Sequence, residues 1–349
     1  MIELVSAECT HTTHGIPGDP LMKVLIIGGA GMVGRKLAER LAKDGTLGGR
    51  GISEMTLYDV VAPTAPKGAT FPVKTATGDL PAKDETSKLV ANKPDVIFHL
   101  AAIVSGEAEQ DFDKGYRINL TGTHNLLESV RHAWAHEAKK PRVVFTSSIA
   151  VFGAPFPDKI TDEFHHTPQT SYGTQKSIGE LLLADYTRKG MLDGIGIRLP
   201  TICVRPGAPN KAASGFFSNI CREPLAGHEA VLPVSEDVMH SHASPRSAVG
   251  FLIHAATIDS EKVGLRRNLS MPGLSVTVGQ QIEALRKIGG EKVVNRIRRE
   301  PDPFIEKIVA GWPRDFDAKR ARSLGFKSEQ SFEDILKIHI EDELGGTIA

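Results

Sequence analysis

Short apolar runs alternate along the chain with longer stretches in which apolar residues recur at helical spacing. The clearest apolar runs are 24–27, 55–58, 96–100, 143–145 and 195–197. The clearest helical stretches are 119–132, 172–188, 277–287 and 332–344. Buried strands that alternate with amphipathic helices are typical of parallel βαβ units. The pattern therefore predicts an α/β fold with a doubly wound parallel sheet.

The first apolar run leads directly into a glycine-rich turn, GGAGMVG over 28–34, and then into a helical stretch over 35–43. In such a unit the first glycine permits the tight turn, the second lets the backbone approach a pyrophosphate, and the third lets the helix pack on the strand. The free N–H groups at the helix N-terminus attract the same anion. We therefore predict a dinucleotide site of the Rossmann type. The residues assigned to it are Gly28, Gly31, Met32, Val33 and Gly34.

Two acidic residues follow apolar runs where the adenosine of a dinucleotide would be recognised. Asp59 ends the second run, a position from which a carboxylate accepts hydrogen bonds from ribose hydroxyls and repels a 2′-phosphate. This placement predicts NAD rather than NADP as the cofactor, although Arg35 would weaken that preference. Asp79, followed by Leu80, is placed to meet the adenine amino group; a simple turn aspartate is the alternative.

A tyrosine and a lysine spaced i, i+4 begin the helical stretch at 172, so both side chains project from one face. A tyrosine of ordinary pKa, about 10, is a poor base at neutral pH, and a nearby ammonium group lowers that pKa. Tyr172 and Lys176 can therefore remove the proton of a secondary alcohol. Ser148 follows the apolar run 143–145 and is expected at the carboxyl edge of the sheet, where ligands bind in open α/β folds. We predict that Ser148 holds the reacting oxygen.

Taken together, these motifs resemble the extended short-chain dehydrogenase/reductase family, which includes sugar-nucleotide epimerases and dehydratases. The segments that carry the resemblance are 28–34, Asp59, 79–80, 99–102, 119–123, 145–153, 172–176 and 198–200. The resemblance implies that Tyr172 is the acid/base, that Lys176 tunes its pKa and binds the nicotinamide ribose, and that Ser148 binds the substrate hydroxyl.

The same resemblance implies further roles by position. Asn119 would support the helix backbone near the lysine. The residues implied to line the cofactor groove are Leu100, Ala101, Ala102, Leu199 and Pro200. Family members usually dimerise through the two long helices, so a homodimer is implied. These roles divide the chain into a flexible N-terminal extension over 1–21, an NAD-binding Rossmann domain with the catalytic residues over 22–200, and a mainly substrate-binding region over 201–349.

Two anchors that sugar-nucleotide enzymes use for the diphosphate are missing. Thr201 stands where they carry asparagine, and 239–246 replaces their Arg-Asp-x-x-His-Val-x-Asp stretch. The runs at 104–109 and 200–207 resemble instead the subgroup of D-erythronate dehydrogenases, which oxidise a four-carbon sugar acid to its 2-keto form. Oxidation of a small sugar acid is therefore expected, and a nucleotide-sugar epimerase or dehydratase is the alternative. A catalytically silent NAD-binding protein is disfavoured because the Tyr–Lys–Ser set is intact.

A small acid needs a cationic anchor, since a guanidinium binds a carboxylate in a bidentate manner. Arg246 is the first choice and Arg205 the second, with a surface ion pair as the alternative for each. Ser105 and Glu107, on the predicted loop after the run 96–100, are expected to meet sugar hydroxyls, and Thr201 belongs to the same candidate site. His240 and His242 lack an acidic or thiolate partner at ligand spacing, so we interpret them as loop residues.

Composition narrows the partners. Lys+Arg and Asp+Glu number 42 each, so no net field would attract nucleic acid or an anionic membrane. The sequence contains no run of about 18 apolar residues, so it predicts no membrane-spanning helix. The three cysteines contain no C-x-x-C pair, which argues against a disulfide framework and against a metal site. The expected partner is therefore a small molecule, and the expected compartment is the reducing cytoplasm.

Overall fold

The computed structural model describes residues 21–207 and 214–349, so the predicted extension lies outside the described residues except for Leu21. The strands are β1 (Met22–Ile27), β2 (Thr46–Leu47), β3 (Arg50–Asp59), β4 (Val73–Thr77), β5 (Val96–His99), β6 (Arg142–Ser148), β7 (Asp193–Leu199), β8 (Thr201–Ile202), β9 (Ala230–Leu232), β10 (Met239–Ala243), β11 (Asn268–Ser270), β12 (Leu274–Thr277) and β13 (Ile297–Arg299).

The helices are α1 (Met32–Asp44), α2 (Glu85–Val90), α3 (Ser105–Gln110), α4 (Phe112–Gly115), α5 (Gly122–Ala133), α6 (Ser171–Arg188), α7 (Gly215–Leu225), α8 (Pro245–Thr257), α9 (Ser260–Val263), α10 (Val278–Val294), α11 (Pro303–Ala310), α12 (Lys319–Ser323) and α13 (Phe332–Glu343). A π-helical segment, Tyr116–Thr121, leads into α5, and a 3₁₀ turn, Ile149–Val151, follows β6. In the described ranges no helix is both long enough and apolar enough to cross a membrane.

The main sheet is parallel apart from one edge. Its parallel strands run in the order β11-β7-β6-β5-β1-β3-β4, and the short β2 pairs antiparallel with β3. The chain leaves β1 toward β3 and β4 and then returns to the other side of β1 with β5. This reversal opens a crevice at the carboxyl ends of β1 and β5, where ligands of such sheets bind. The predicted doubly wound α/β fold is confirmed.

Helices cover both faces of this sheet because the strands are apolar on both faces. On one face, Leu37 of α1 and Leu252 of α8 pack in the same buried cluster as Ile26 of β1. On the other face, Leu126 of α5 and Leu183 of α6 pack with the strand residues that point the opposite way. Burial of such side chains stabilises the fold by about 1.5–3 kcal/mol each.

The C-terminal part of the chain contributes to two cores. A separate cluster joins α7, α10 and α13 through side chains such as Phe217, Leu285 and Leu336. However, β11 pairs with β7, and Leu269 of β11 and Phe251 of α8 are buried in the nucleotide-binding core. The region after residue 200 therefore contributes both to its own core and to the core of the main sheet.

The predicted strands and long helices occur, with most strands extending further than their apolar runs. Two segments differ from the prediction. The expected loop at 104–109 contains the helix α3. His240 and His242 were wrongly placed in a loop: they lie on β10, 2% and 0% exposed, and that strand pairs with β8 and β12. Polar residues in a central strand of a small sheet conceal its apolar pattern.

Candidate active site

The glycine turn between β1 and α1 lies at the sheet crevice and leaves no room for side chains. Gly28 has a φ of +98°, and a β-carbon there would lie 2.7 Å from the backbone nitrogen of Ala101. A β-carbon at Gly34 would lie 2.1 Å from the carbonyl oxygen of Gly28. Gly31, the N-cap of α1, has no side chain to cap the helix, so the first N–H groups of the helix remain available to an anion. This cradle fits the pyrophosphate of a dinucleotide.

Asp59, at the end of β3, is held against the glycine turn. Its carboxylate accepts hydrogen bonds from the backbone N–H of Ala30 (2.9 Å) and of Val60 (2.7 Å). Asp79 lies after β4 and pairs with Arg117, with 2.6 Å between carboxylate and guanidinium. The turn that carries Asp59 is therefore ordered by the same backbone that forms the cradle, whereas Asp79 already has a cationic partner.

A cavity of about 490 Å³ extends from the glycine turn to the carboxyl ends of β6, β7 and β8. Predicted site residues that line it are Gly28, Gly31, Met32, Val33, Gly34, Leu100, Ala102, Ser105, Ser148, Tyr172, Lys176, Leu199, Pro200, Thr201 and Arg205. Predicted site residues that do not line it are Asp59, Asp79, Leu80, Ala101, Glu107, Asn119 and Arg246. The predicted catalytic residues and the residues predicted to lie beside the nicotinamide therefore line the same cavity.

The start of α6 is packed so that Tyr172 meets Ser148. Thr170 caps the helix by accepting a hydrogen bond from the N–H of Gly173, and Glu109 of α3 accepts one from the N–H of Ser171. A β-carbon at Gly173 would lie 2.2 Å from the carbonyl oxygen of Ala150, so the helix end touches the turn after β6. Ser148 is as a result close enough to Tyr172 to lower the pKa of the tyrosine.

Burial sets the protonation of the catalytic pair. It raises the pKa of Tyr172 to about 12, while the Ser148 hydroxyl and the charge of Arg205 act in the opposite direction. Burial lowers the pKa of Lys176 to about 8, and the charge of Glu180 opposes this shift. The Lys176 Nζ lies 5.6 Å from the centroid of the Tyr172 ring and donates to the carbonyl oxygen of Thr146 (2.8 Å). The charge of Arg205 therefore lowers the pKa of Tyr172, and the predicted role of Lys176 in tuning that pKa stays a prediction.

A buried ion pair that the sequence analysis missed lies one helical turn beyond Lys176. Glu180 is fully buried and accepts a hydrogen bond from the Arg198 guanidinium at 2.7 Å, and Ser147 and His166 contact the same carboxylate. The i, i+4 spacing of Lys176 and Glu180 was a readable signal. This pair places a fixed negative charge behind the lysine.

Asn119 lies on the π-helical segment and is 3% exposed. Its amide accepts from the N–H of Ile103 (2.9 Å) and donates to the carbonyl oxygen of Ile103 and to the Gln175 side chain. The asparagine therefore ties the segment after β5 to Gln175, the residue beside Lys176, and it acts by position because it does not line the cavity.

Arg205 faces the cavity without an acidic partner in the described part of the chain. Its Nε donates to the carbonyl oxygen of Ile202 (3.0 Å) and its Nη2 to the hydroxyl of Ser214 (2.9 Å). No carboxylate within residues 21–207 and 214–349 lies within 4.0 Å of its guanidinium. Its other guanidinium N–H groups make no hydrogen bond to residues 21–207 or 214–349, and they can bind an anion in the cavity.

Two residues predicted to contact the substrate lie away from the cavity and have ion-pair partners. Arg246 projects from the start of α8 toward the end of α13, where it pairs with Asp342 and Glu341 outside the cavity. Glu107 pairs with Lys114 on the exposed side of α3. In each case an opposite charge on a neighbouring helix satisfies the side chain. Further residues, to which the sequence motifs give no role in the site, line the cavity, among them Gln169, Ser214, His240 and Trp312.

Comparisons with known proteins agree with this geometry. The model of the NAD dependent epimerase/dehydratase family matches residues 24–241. The D-erythronate dehydrogenase of Cupriavidus necator is 46% identical over 92% of this chain and 98% of its own length, and that of Haemophilus influenzae is 43% identical over 93% and 100%. A crystal structure described as the nucleoside-diphosphate-sugar epimerase from Agrobacterium tumefaciens is 65% identical, with a TM-score of 0.93 over 96% of this chain and 99% of that one. The family resemblance predicted from the sequence is confirmed.

Proposed function

The chain belongs to the NAD dependent epimerase/dehydratase family, and we propose that it oxidises D-erythronate to 2-dehydro-D-erythronate with NAD. As a member of that family related to curated dehydrogenases, it is a nicotinamide-dependent oxidoreductase of the extended short-chain dehydrogenase/reductase type. The substrate, the choice of NAD and the roles of individual residues are the parts of this proposal that need tests.

The cavity residues divide the chemistry among themselves. Ser148 accepts a hydrogen bond from the N–H of Ala150, and it can donate its single hydrogen to a reacting oxygen that enters between it and Tyr172. Tyr172 takes the proton of that hydroxyl. The nicotinamide ring, when bound, supplies the acceptor for the hydride from the same carbon. Lys176 uses one of its three N–H donors on Thr146 and has two left for the nicotinamide ribose.

The choice of NAD over NADP rests on Asp59. Its carboxylate is fixed beside the cradle by two backbone N–H groups, so it stays near the end of β3 where an adenosine ribose would lie. A 2′-phosphate would bring a second negative charge close to it. Repulsion between like charges at short range disfavours the phosphorylated cofactor.

One observation carries the substrate assignment: Arg205 faces the reaction cavity beside Tyr172 with no carboxylate partner among the described residues. A guanidinium that is half-buried without an anion is costly, and a substrate carboxylate would satisfy it with charge-assisted hydrogen bonds. The same charge also favours the phenolate of Tyr172. Arg205 is thus suited to bind a 2-hydroxy acid with its reacting hydroxyl at the tyrosine.

A nucleotide-sugar epimerase is the second candidate, and the description of the Agrobacterium tumefaciens structure favours it. The two functions differ in whether reduced cofactor is released. The test is a panel of D-erythronate, other short aldonates, and UDP- and GDP-sugars, with NADH followed by absorbance and sugar products by chromatography. Stoichiometric NADH with erythronate supports the proposal. No NADH with any acid, together with epimerisation of a nucleotide sugar, refutes it.

We also propose a cytoplasmic homodimer that pairs α5 and α6. Leu181, on α6, is 65% exposed, an apolar side chain that such pairing would cover. The two described cysteines, Cys203 and Cys221, are buried free thiols, which suits a reducing compartment. A two-chain mass in light scattering supports the dimer, and a one-chain mass contradicts it.

A further inference from the structure

His240 is held rigidly at the wall of the reaction cavity. Its ring stacks on Phe217 with a centroid distance of 5.1 Å and an interplanar angle of 2°, and Trp312 packs 5.4 Å away. Its Nδ1 lies 3.0 Å from the carbonyl oxygen of Pro313, and its Nε2 lies 2.7 Å from the hydroxyl of Thr201. Each of the two ring nitrogens therefore has one fixed partner.

These partners determine the tautomer. A carbonyl oxygen can only accept, so Nδ1 of His240 must carry the hydrogen. Burial and the nearby charge of Arg205 lower the pKa of His240 to about 4, which keeps the ring neutral at physiological pH. In a neutral ring with hydrogen on Nδ1, Nε2 has only a lone pair. Nε2 therefore accepts, and the hydroxyl of Thr201 must donate its single hydrogen to it.

Because its hydrogen is used on His240, the Thr201 oxygen can only accept further hydrogen bonds. Thr201 and His240 both line the cavity, and the Thr201 hydroxyl makes no other hydrogen bond within the described residues. A substrate group that meets this oxygen must be a donor, since an acceptor would face lone pairs and an apolar group would leave them unsatisfied.

We propose that Thr201 is a specificity-determining residue that accepts a hydrogen bond from a substrate hydroxyl other than the one being oxidised, and that His240 is the positioning residue that fixes this direction. The inference rests on the proposed function, because it names what selects a polyhydroxy acid at that site. An acid with hydroxyls beyond C2 satisfies Thr201, whereas its deoxy analogue does not.

The experiment measures kcat/KM for D-erythronate, its 3-deoxy analogue and its 4-deoxy analogue. The wild-type enzyme should prefer erythronate over at least one analogue by about tenfold or more, the effect expected when a buried acceptor is left unsatisfied. Thr201→Val keeps the shape but removes the oxygen, so the ratio should fall toward one. Thr201→Ser keeps the hydroxyl and should preserve the ratio.

A matched pair of variants tests His240. The amide nitrogen of Asn replaces Nδ1, so His240→Asn keeps the bond to Pro313 but frees the Thr201 hydroxyl to rotate and donate. The carbonyl oxygen of Gln replaces Nε2, so His240→Gln keeps an acceptor for Thr201. We expect His240→Asn to lose the preference and His240→Gln to retain it. A merely structural histidine would lower kcat/KM for all three acids equally and leave the ratio unchanged.

The outcomes separate this inference from the proposed function. If the wild-type enzyme oxidises no sugar acid, the proposed function fails. If it oxidises erythronate but does not discriminate against either analogue, or if Thr201→Val and His240→Asn keep the wild-type ratio, the specificity role is refuted while the proposed function stands.

Discussion

Replacing Arg205 by methionine tests the substrate assignment most directly. Methionine preserves much of the side-chain length but removes the guanidinium, so the substrate carboxylate loses charge-assisted hydrogen bonds worth about 1.5–3 kcal/mol. The Michaelis constant for the acid should therefore rise roughly 10- to 150-fold, since about 1.4 kcal/mol corresponds to a factor of ten. Binding of NAD should be retained, because Arg205 contacts Ile202 and Ser214 rather than the glycine turn.

The same substitution should change the pH dependence. The charge of Arg205 lowers the pKa of Tyr172, so its removal should raise that pKa and move the rising limb of kcat/KM to higher pH. The matched control is Arg246→Met, because Arg246 pairs with Asp342 and Glu341 outside the cavity. Initial rates across substrate concentration and pH provide both readouts. An unchanged Michaelis constant in Arg205→Met, or a raised one in Arg246→Met, would refute the assignment.

Three further substitutions test the other parts of the site. Tyr172→Phe removes the ionisable hydroxyl but keeps the ring, so turnover should fall about 10²–10⁴-fold while NAD still binds in a fluorescence titration; near-normal turnover would end the role of Tyr172 as the base. Asp59→Ala removes the charge that opposes a 2′-phosphate, so the ratio of kcat/KM for NAD and NADP should narrow, and an unchanged ratio would place Asp59 outside the ribose site. Glu180→Gln leaves the Arg198 guanidinium buried without its carboxylate, so the free energy of unfolding should fall by about 3–5 kcal/mol in denaturant titrations. The exposed pair of Glu107 and Lys114 is its control, since Glu107→Gln should cost about 1 kcal/mol or less, and equal losses would contradict the argument.

The local features of the protein were determined by the sequence alone. The strands, the long helices and the glycine turn depend on residues that are neighbours along the chain, so hydrophobic periodicity and turn chemistry identify them. The placement of Tyr172 near Ser148 was also predictable, because Ser148 ends a strand at the carboxyl edge of the sheet and Tyr172 lies at the start of the α-helix that follows. The roles predicted for Lys176 and Asn119 came in addition from the resemblance to a known family.

The tertiary structure alone decided which charged residues face the cavity. The sequence ranked Arg246 above Arg205 as the carboxylate anchor, but the end of α13, about a hundred residues after Arg246, supplies carboxylates to Arg246 and not to Arg205. The sequence around His240 is typical of a loop, but in the structure β8 and β12 flank its strand. The carbonyl oxygen of Pro313 accepts the Nδ1 hydrogen of His240. Pairing over such separations depends on how helices and strands pack in space. No local periodicity encodes it, so the partner of each charge, and with it the chemistry of the substrate pocket, emerges only on folding.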